Sequence, residues 1–203
     1  MSDTAPNDNL RLERRLLLWL PVALVLLLIL GFAVALNRPQ PQGMVLAQLD
    51  NTLERRAMPA FTLAGVDDTG PIRGLSQADV LASKTPFTLV NFFASWCAPC
   101  RVEHPYLLAL ARRDDLSIMG IAYRDRPMAA ADYLIKAGNP FDHAGLDPTG
   151  TAALGFGITG MPETFVIDQQ GMIRFRFQGA ITDLQVNQLE EILAKLRLEA
   201  EAS

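Results

Sequence analysis

The two cysteines of this chain, Cys97 and Cys100, enclose Ala98 and Pro99. Two intervening residues let both sulfurs meet across one helical turn, so the pair can cycle between dithiol and disulfide with little backbone movement. Trp96 precedes them, and ahead of it runs Phe87-Thr88-Leu89-Val90-Asn91-Phe92-Phe93. Thiols placed where a strand hands over to a helix point to redox chemistry. At the helix start, Cys97 meets unpaired N–H groups and the positive end of the dipole, which favour thiolate and make it the expected nucleophile. Arg101 adds positive charge nearby. Pro99 has no N–H, so Cys97 gains one donor fewer than with another residue there. The pair is therefore expected to be comparatively reducing, at roughly −200 to −280 mV instead of about −120 mV. Cys100, further in and less exposed, is expected to resolve the mixed disulfide, and for that it needs a proton acceptor. Glu103 and Glu163 are the candidates, each equally readable as a solvated surface carboxylate.

Other residues with chemical potential read more plainly. Trp96 is either core filling or a substrate contact. His104 is expected on the helix surface, and His143 lies in a separate segment. The scattered spacing of the two histidines and two cysteines does not match a structural zinc site. A haem-attachment signal needs histidine after the second cysteine, where this chain has Arg101.

The elements that must position the pair follow from periodicity. Residues 87–93 form a nearly continuous apolar strand, as in a central strand covered on both faces. The next helix, residues 97–113, is expected to turn Val102, Tyr106 and Leu110 inward and to bend at Pro105. Upstream, residues 61–63 and 72–75 read as a hairpin around Asp67-Asp68-Thr69-Gly70, followed by a short helix over 77–83 capped by Ser76. Downstream come a strand over 116–123, a helix over 129–137 stopped by Gly138-Asn139-Pro140, a strand over 141–146 and a short helix over 149–156. Two strands, 163–168 and 172–178, flank Gln169-Gln170-Gly171 as a hairpin, and an amphipathic helix over 182–198 ends the order.

The chain has 203 residues and a net charge of −4. No dense basic cluster interrupts it, which excludes a nucleic-acid binder. Residues 16–36 (LLLWLPVALVLLLILGFAVAL) carry no charge and would span roughly 30 Å as a helix, the thickness of a bilayer's apolar layer. Arg11, Arg14 and Arg15 precede this run and Arg38 follows it, so residues 1–15 are expected in the cytoplasm and the domain outside. Ala33-Val34-Ala35 has the form of a signal-peptide cleavage site, but the run is longer than the usual apolar region of a signal peptide. Either outcome exports the domain. In a bacterial periplasm, kept oxidising, an exposed dithiol then needs a reducing partner in the membrane. Residues 37–58 read as a tether and approach to the fold, 59–198 as one domain with a full core, and 199–203 as a tail.

The cysteine turn together with Gly157-Ile158-Thr159-Gly160-Met161-Pro162-Glu163-Thr164-Phe165 resembles the thioredoxin-fold proteins. More narrowly, the chain resembles the membrane-anchored thiol:disulfide interchange proteins of cytochrome c maturation, the CcmG or DsbE type. The likeness rests on residues 90–107 (VNFFASWCAPCRVEHPYL) and 155–168 (GFGITGMPETFVID). It implies an α/β thioredoxin-like fold, a central mixed sheet flanked by helices behind an N-terminal transmembrane helix, without cofactor or metal. It also implies a substrate, the Cys-x-x-Cys-His segment of apocytochrome c, and a reductant, a membrane thiol transporter of the DsbD or CcdA type. Pro162 would be a cis-proline against the cysteine turn, with the Met161 backbone pairing with an extended substrate; the plainer alternative is an ordinary trans turn. Two features depart from pattern. Asn91 stands where ordinary thioredoxins carry a buried aspartate, and Ala98-Pro99 is closer to thioredoxin's Gly-Pro, so general reductases of the TlpA or ResA kind remain competitors. A binding module that holds copper or another soft metal on the paired sulfurs is the reading from another class.

Overall fold

The structure, a computed structural model, describes Pro21 and residues 23–32, 56–66 and 70–201. The chain divides into two units, Met1–Val45 and Leu46–Ser203. In the first, residues 23–32 are helical with exposed side chains that include Leu24, Leu27 and Phe32. No helix among the described residues is long and apolar enough to cross a membrane. The rest of the expected span, residues 1–15, residues 37–55 of the tether and the turn Asp67-Asp68-Thr69 lie outside the described residues.

Among the described residues, the second unit is built on an eight-stranded sheet in the order β1-β8-β7-β4-β5-β6-β2-β3. Its elements are β1 (Arg56–Ala57), β2 (Thr62–Ala64), β3 (Gly74–Ser76), α1 (Gln77–Leu81), β4 (Phe87–Phe93), α2 (Ala98–Leu110) and β5 (Leu116–Tyr123). There follow α3 (Pro127–Ala137), β6 (His143–Asp147), α4 (Thr151–Phe156), β7 (Glu163–Asp168), β8 (Met172–Gln178) and α5 (Asp183–Glu201). β4, β5 and β6 run parallel, while β7 returns antiparallel on the other side of β4 and β8 pairs antiparallel with β7. The sheet is therefore mixed. It includes Arg56 and Ala57, inside the segment expected as tether, which pair with Ile173 and Met172. The Arg56 guanidinium also donates to the Gly155 and Phe156 carbonyls that end α4.

Every residue of β4 is buried. One face, with Leu89 and Phe93, packs under α2, α3 and α5 through Leu107, Leu134 and Leu193. The other, with Val90 and Phe92, packs under α1 and α4 through Val80 and Phe156. The Phe92 and Phe156 ring centroids are 5.2 Å apart, in edge-on contact. Burying a side chain of this size stabilises by about 1.5–3 kcal/mol, so the strand that carries the cysteine turn is anchored from both sides.

Local signals set the helix ends. Ser76 and Asp79 form a capping box at α1, with the Ser76 N–H donating to Asp79 Oδ2 at 2.7 Å. The Ser76 hydroxyl, which donates to the same oxygen at 2.7 Å, and then this N–H hold the Asp79 carboxyl below its ordinary range. Pro127 occupies the first turn of α3, and Gly138, at φ +93°, ends it in a conformation that favours glycine.

The inward face of α2 differs from expectation. Val102 is 58% exposed, and the buried residues are Cys100, Glu103, His104, Leu107 and Leu110. An inward line drawn through apolar residues alone misses a face that carries a carboxylate and an imidazole. His104 is therefore buried, not on the surface. Its Nε2 lies 3.0 Å from the Gly138 carbonyl and its ring meets Tyr133 edge-on, so the end of α3 supplies the polar partner that burial requires.

Candidate active site

Cys97 and Cys100 are joined by a disulfide with their Cα atoms 5.3 Å apart. Cys97 caps α2 in an extended conformation, φ −84° and ψ 107°, with Pro99 in the first turn. Its Sγ accepts from the Cys100 N–H at 3.2 Å, and Pro99 presents no donor, as its ring nitrogen dictates. In this disulfide form both cysteines are buried, 3% and 2% exposed, without the contrast in exposure that the sequence led us to expect.

The turn before the pair is tied to the loop after β5. Asp125, itself buried, accepts the Ser95 N–H and, at 2.9 Å, the Ser95 hydroxyl. The Trp96 indole N–H donates to the Arg124 carbonyl at 3.3 Å, while the ring stays 57% exposed beside the disulfide. Arg124 has φ +44°, a left-handed conformation in a non-glycine residue. On the other side, the Arg101 guanidinium donates to the Ser95 carbonyl at 2.8 Å. Sequence reasoning missed Ser95 and Asp125. The available signal was an acid just past the C-terminal end of a strand, where sites gather in open α/β sheets.

On the inner side of α2, Glu103 is fully buried. Its Oε1 accepts from Asn91 Nδ2 at 2.9 Å and its Oε2 from the Ile181 N–H at 3.0 Å. Asn91 Nδ2 also donates to Thr164 Oγ1 at 2.9 Å, which links β4, α2 and β7. Burial pushes the Glu103 carboxyl up to about 7, against the two hydrogen bonds that favour its charged form. Cys100 and Glu103 sit three residues apart on the buried face of α2, the spacing at which helical side chains are neighbours. Asn91 removes one acid of the thioredoxin pattern and acts instead as a donor to another.

The Met161–Pro162 peptide bond is cis. Met161 is half-buried and packs against the apolar clusters of both sheet faces, one of which contains Cys97 and Cys100. Glu163 is buried and fully engaged: Oε1 accepts from the N–H and hydroxyl of Thr159 and from the Gly160 N–H, and Oε2 accepts from Arg176. Neither glutamate is a solvated surface carboxylate. Glu103 shares a helix face with Cys100, whereas Glu163 is committed to the loop ahead of Pro162. Among the described residues, no group of three or more histidines, cysteines or acids is arranged to hold a metal ion.

A disulfide at the end of the central strand of such a sheet, capping the following helix, defines a dithiol–disulfide exchange centre on a thioredoxin-like fold. The Redoxin family model matches residues 54–193, and the chain belongs to that family. It is 40% identical over 129 residues to the thiol:disulfide interchange protein HelX of Rhodobacter capsulatus, covering 58% of this chain and 73% of that one. Over 167 residues it is 36% identical to the thiol:disulfide interchange protein DsbE of Yersinia pestis, covering 82% and 86%. Among solved structures, a DsbF homologue from Corynebacterium diphtheriae superposes with a TM-score of 0.57 at 25% identity, covering 70% and 87%. The protein is a thiol:disulfide oxidoreductase of the DsbE type, with Cys97 and Cys100 as its pair.

Proposed function

We propose that this protein reduces the disulfide of the Cys-x-x-Cys-His segment of apocytochrome c on the outer side of a bacterial inner membrane, held there by residues 16–36. The observation that carries the reading is the placement of Cys100 three residues before a buried carboxyl, Glu103, on the same helix face, where burial pushes that carboxyl up to about 7. In the reduced protein the Cys97 thiolate attacks one substrate sulfur; the substrate S–S bond breaks and its second sulfur leaves as a thiolate that takes up a proton. Cys100 then gives its proton to Glu103 and attacks Cys97 Sγ. The mixed disulfide breaks, the first substrate sulfur departs and is protonated, and the Cys97–Cys100 disulfide remains. Two electrons have passed to the substrate. A membrane thiol transporter of the DsbD or CcdA type returns them.

The direction is supported by the Cys97 sulfur having one N–H donor among the described residues, that of Cys100, which limits thiolate stabilisation. Substrate recognition rests on Trp96 beside the pair and on the Met161 main chain, which can add to an extended peptide edge to edge. The signatures Arg101-Val102-Glu103-His104 and Gly-x-x-Gly-x-Pro-Glu-Thr-Phe support a cytochrome c substrate over a general one. The test is a Cys100→Ser variant, in which a mixed disulfide through Cys97 cannot be resolved. Capture of apocytochrome c is the expected result. Capture of many unrelated proteins would favour a general reductase of the TlpA or ResA kind. If Cys97→Ser traps partners and Cys100→Ser traps none, the assigned roles are reversed. Soft metal bound to purified protein that reduces no disulfide would favour the carrier.

A further inference from the structure

Residues 157–161 join α4 to β7 without belonging to either, and they contain Gly157, at φ +71°, and Gly160. Thr159 and Gly160 are exposed. Such a segment has many conformations to lose, at about 1–2 kcal/mol per ordered residue. Beneath it lies a concentrated polar staple. Glu163 Oε1 accepts from the Thr159 N–H at 2.9 Å, the Thr159 hydroxyl at 2.9 Å and the Gly160 N–H at 3.0 Å. Arg176, one strand away on β8, donates through Nε to Glu163 Oε2 at 2.6 Å and through a terminal nitrogen to Thr159 Oγ1 at 3.1 Å. Gln178 Nε2 donates to the same hydroxyl at 3.1 Å. The guanidinium carbon stands over the Phe165 ring, 5.6 Å from its centroid, a cation–π contact that adds to its hold on the site. Immediately after the stapled residues comes Met161, and among the described residues neither its N–H nor its carbonyl enters a backbone hydrogen bond.

We propose that Arg176 and Glu163 are positioning residues that hold the Thr159–Gly160 segment so that the free Met161 main chain is a preformed edge for a peptide substrate. The inference rests on the peptide-reductase reading above and deepens it. Neither residue exchanges a proton with the thiols: Glu163 is occupied by three donors of the loop and by Arg176, and proton transfer belongs to Glu103. Order present before binding is order the substrate does not have to supply, so the staple acts on association with a peptide and not on sulfur chemistry.

Two disulfides separate these effects: an oxidised Cys-x-x-Cys-His peptide, which has a main chain to pair, and hydroxyethyl disulfide, which has none. Arg176→Gln is expected to slow reduction of the peptide about tenfold, equivalent to about 1.4 kcal/mol. Reduction of hydroxyethyl disulfide, the glutathione redox equilibrium and the pH profile of resolution are expected to stay unchanged. Arg176→Lys, which keeps the charge but not the planar fork, is expected to recover part of the loss. Thr159→Val, which removes the hydroxyl shared by carboxylate and guanidinium, provides the same comparison if Arg176→Gln does not fold. Equal slowing of both disulfides, or of neither, overturns the proposal. A wild-type protein that reduces hydroxyethyl disulfide but not the peptide overturns the functional reading as well, and does so before any variant is compared.

Discussion

Glu103 concentrates the residue-scale chemistry. A carboxyl with no exposure, two donors and a titration near 7 holds its proton across a range where a free glutamate, near 4.5, has lost it. Between those values the folded protein binds more protons than the unfolded chain. Glu103's contribution to stability is therefore fully present below about pH 4.5 and is lost as pH rises through 7, at most about 3 kcal/mol. Urea unfolding of the oxidised protein at pH 5 and pH 8 is expected to show the loss, and Glu103→Gln to flatten it. An equal slope in the variant would place the titration elsewhere. The same substitution is expected to slow release of a trapped mixed disulfide by roughly a hundredfold and to abolish its pH dependence between 6 and 8. Stopped-flow resolution of a preformed mixed disulfide reads this directly; an unchanged profile would exclude Glu103 as the acceptor.

At the scale of elements, the loop after β5 supports the redox turn across the mouth of the sheet. Asp125 accepts from the N–H and the hydroxyl of Ser95, and the Arg124 carbonyl takes the Trp96 indole, so the start of α2 depends on a loop some thirty residues later. Asp125→Ala leaves those Ser95 groups without their acceptor and is expected to cost about 2 kcal/mol, lowering the melting temperature by about 4–8 °C. Thermal unfolding of the oxidised protein checks it. Because this loop supports the cysteines themselves, Asp125→Ala is expected to slow peptide and non-peptide disulfides alike, unlike a change at Arg176. The strands of this region were legible in the sequence. Residues 87–93, 116–123, 163–168 and 172–178 have the same bounds in the structure, because continuous β-branched and aromatic runs bounded by turns specify strands with little ambiguity. The inward face of α2 was not legible. Its polar members Glu103 and His104 are buried through Asn91, Ile181 and Gly138, partners supplied by other elements that no helical period encodes. The cysteine pair and Pro162 could be placed from their motifs, whereas Asp125 and Arg176 act through contacts distant in sequence.

For the whole molecule, the proposed reductase role needs a defined place in the cell. In an oxidising compartment the dithiol form persists only while electrons arrive, and a donor confined to the membrane delivers them most readily to a protein confined there too. The 21-residue run 16–36 has the length and composition for that role, and the described part of it, Pro21 and residues 23–32, is helical with exposed apolar side chains. Three arginines before the run and one soon after it favour an N-terminus inside. The full chain, produced in a bacterium with a periplasm, is therefore expected to remain in the membrane pellet after carbonate extraction. Once the pair is reduced, the nucleophile Cys97 is expected to react in intact spheroplasts with a maleimide that cannot cross the bilayer. A variant with Leu24, Leu26 and Leu28 all changed to Arg is expected to lose both behaviours, because charges near the centre of a span cost about 2.5–3.5 kcal/mol each on insertion scales. Recovery of the wild-type protein in the soluble periplasmic fraction, shortened by the length of the leader, would instead place cleavage after Ala35 and leave the redox domain exported but untethered.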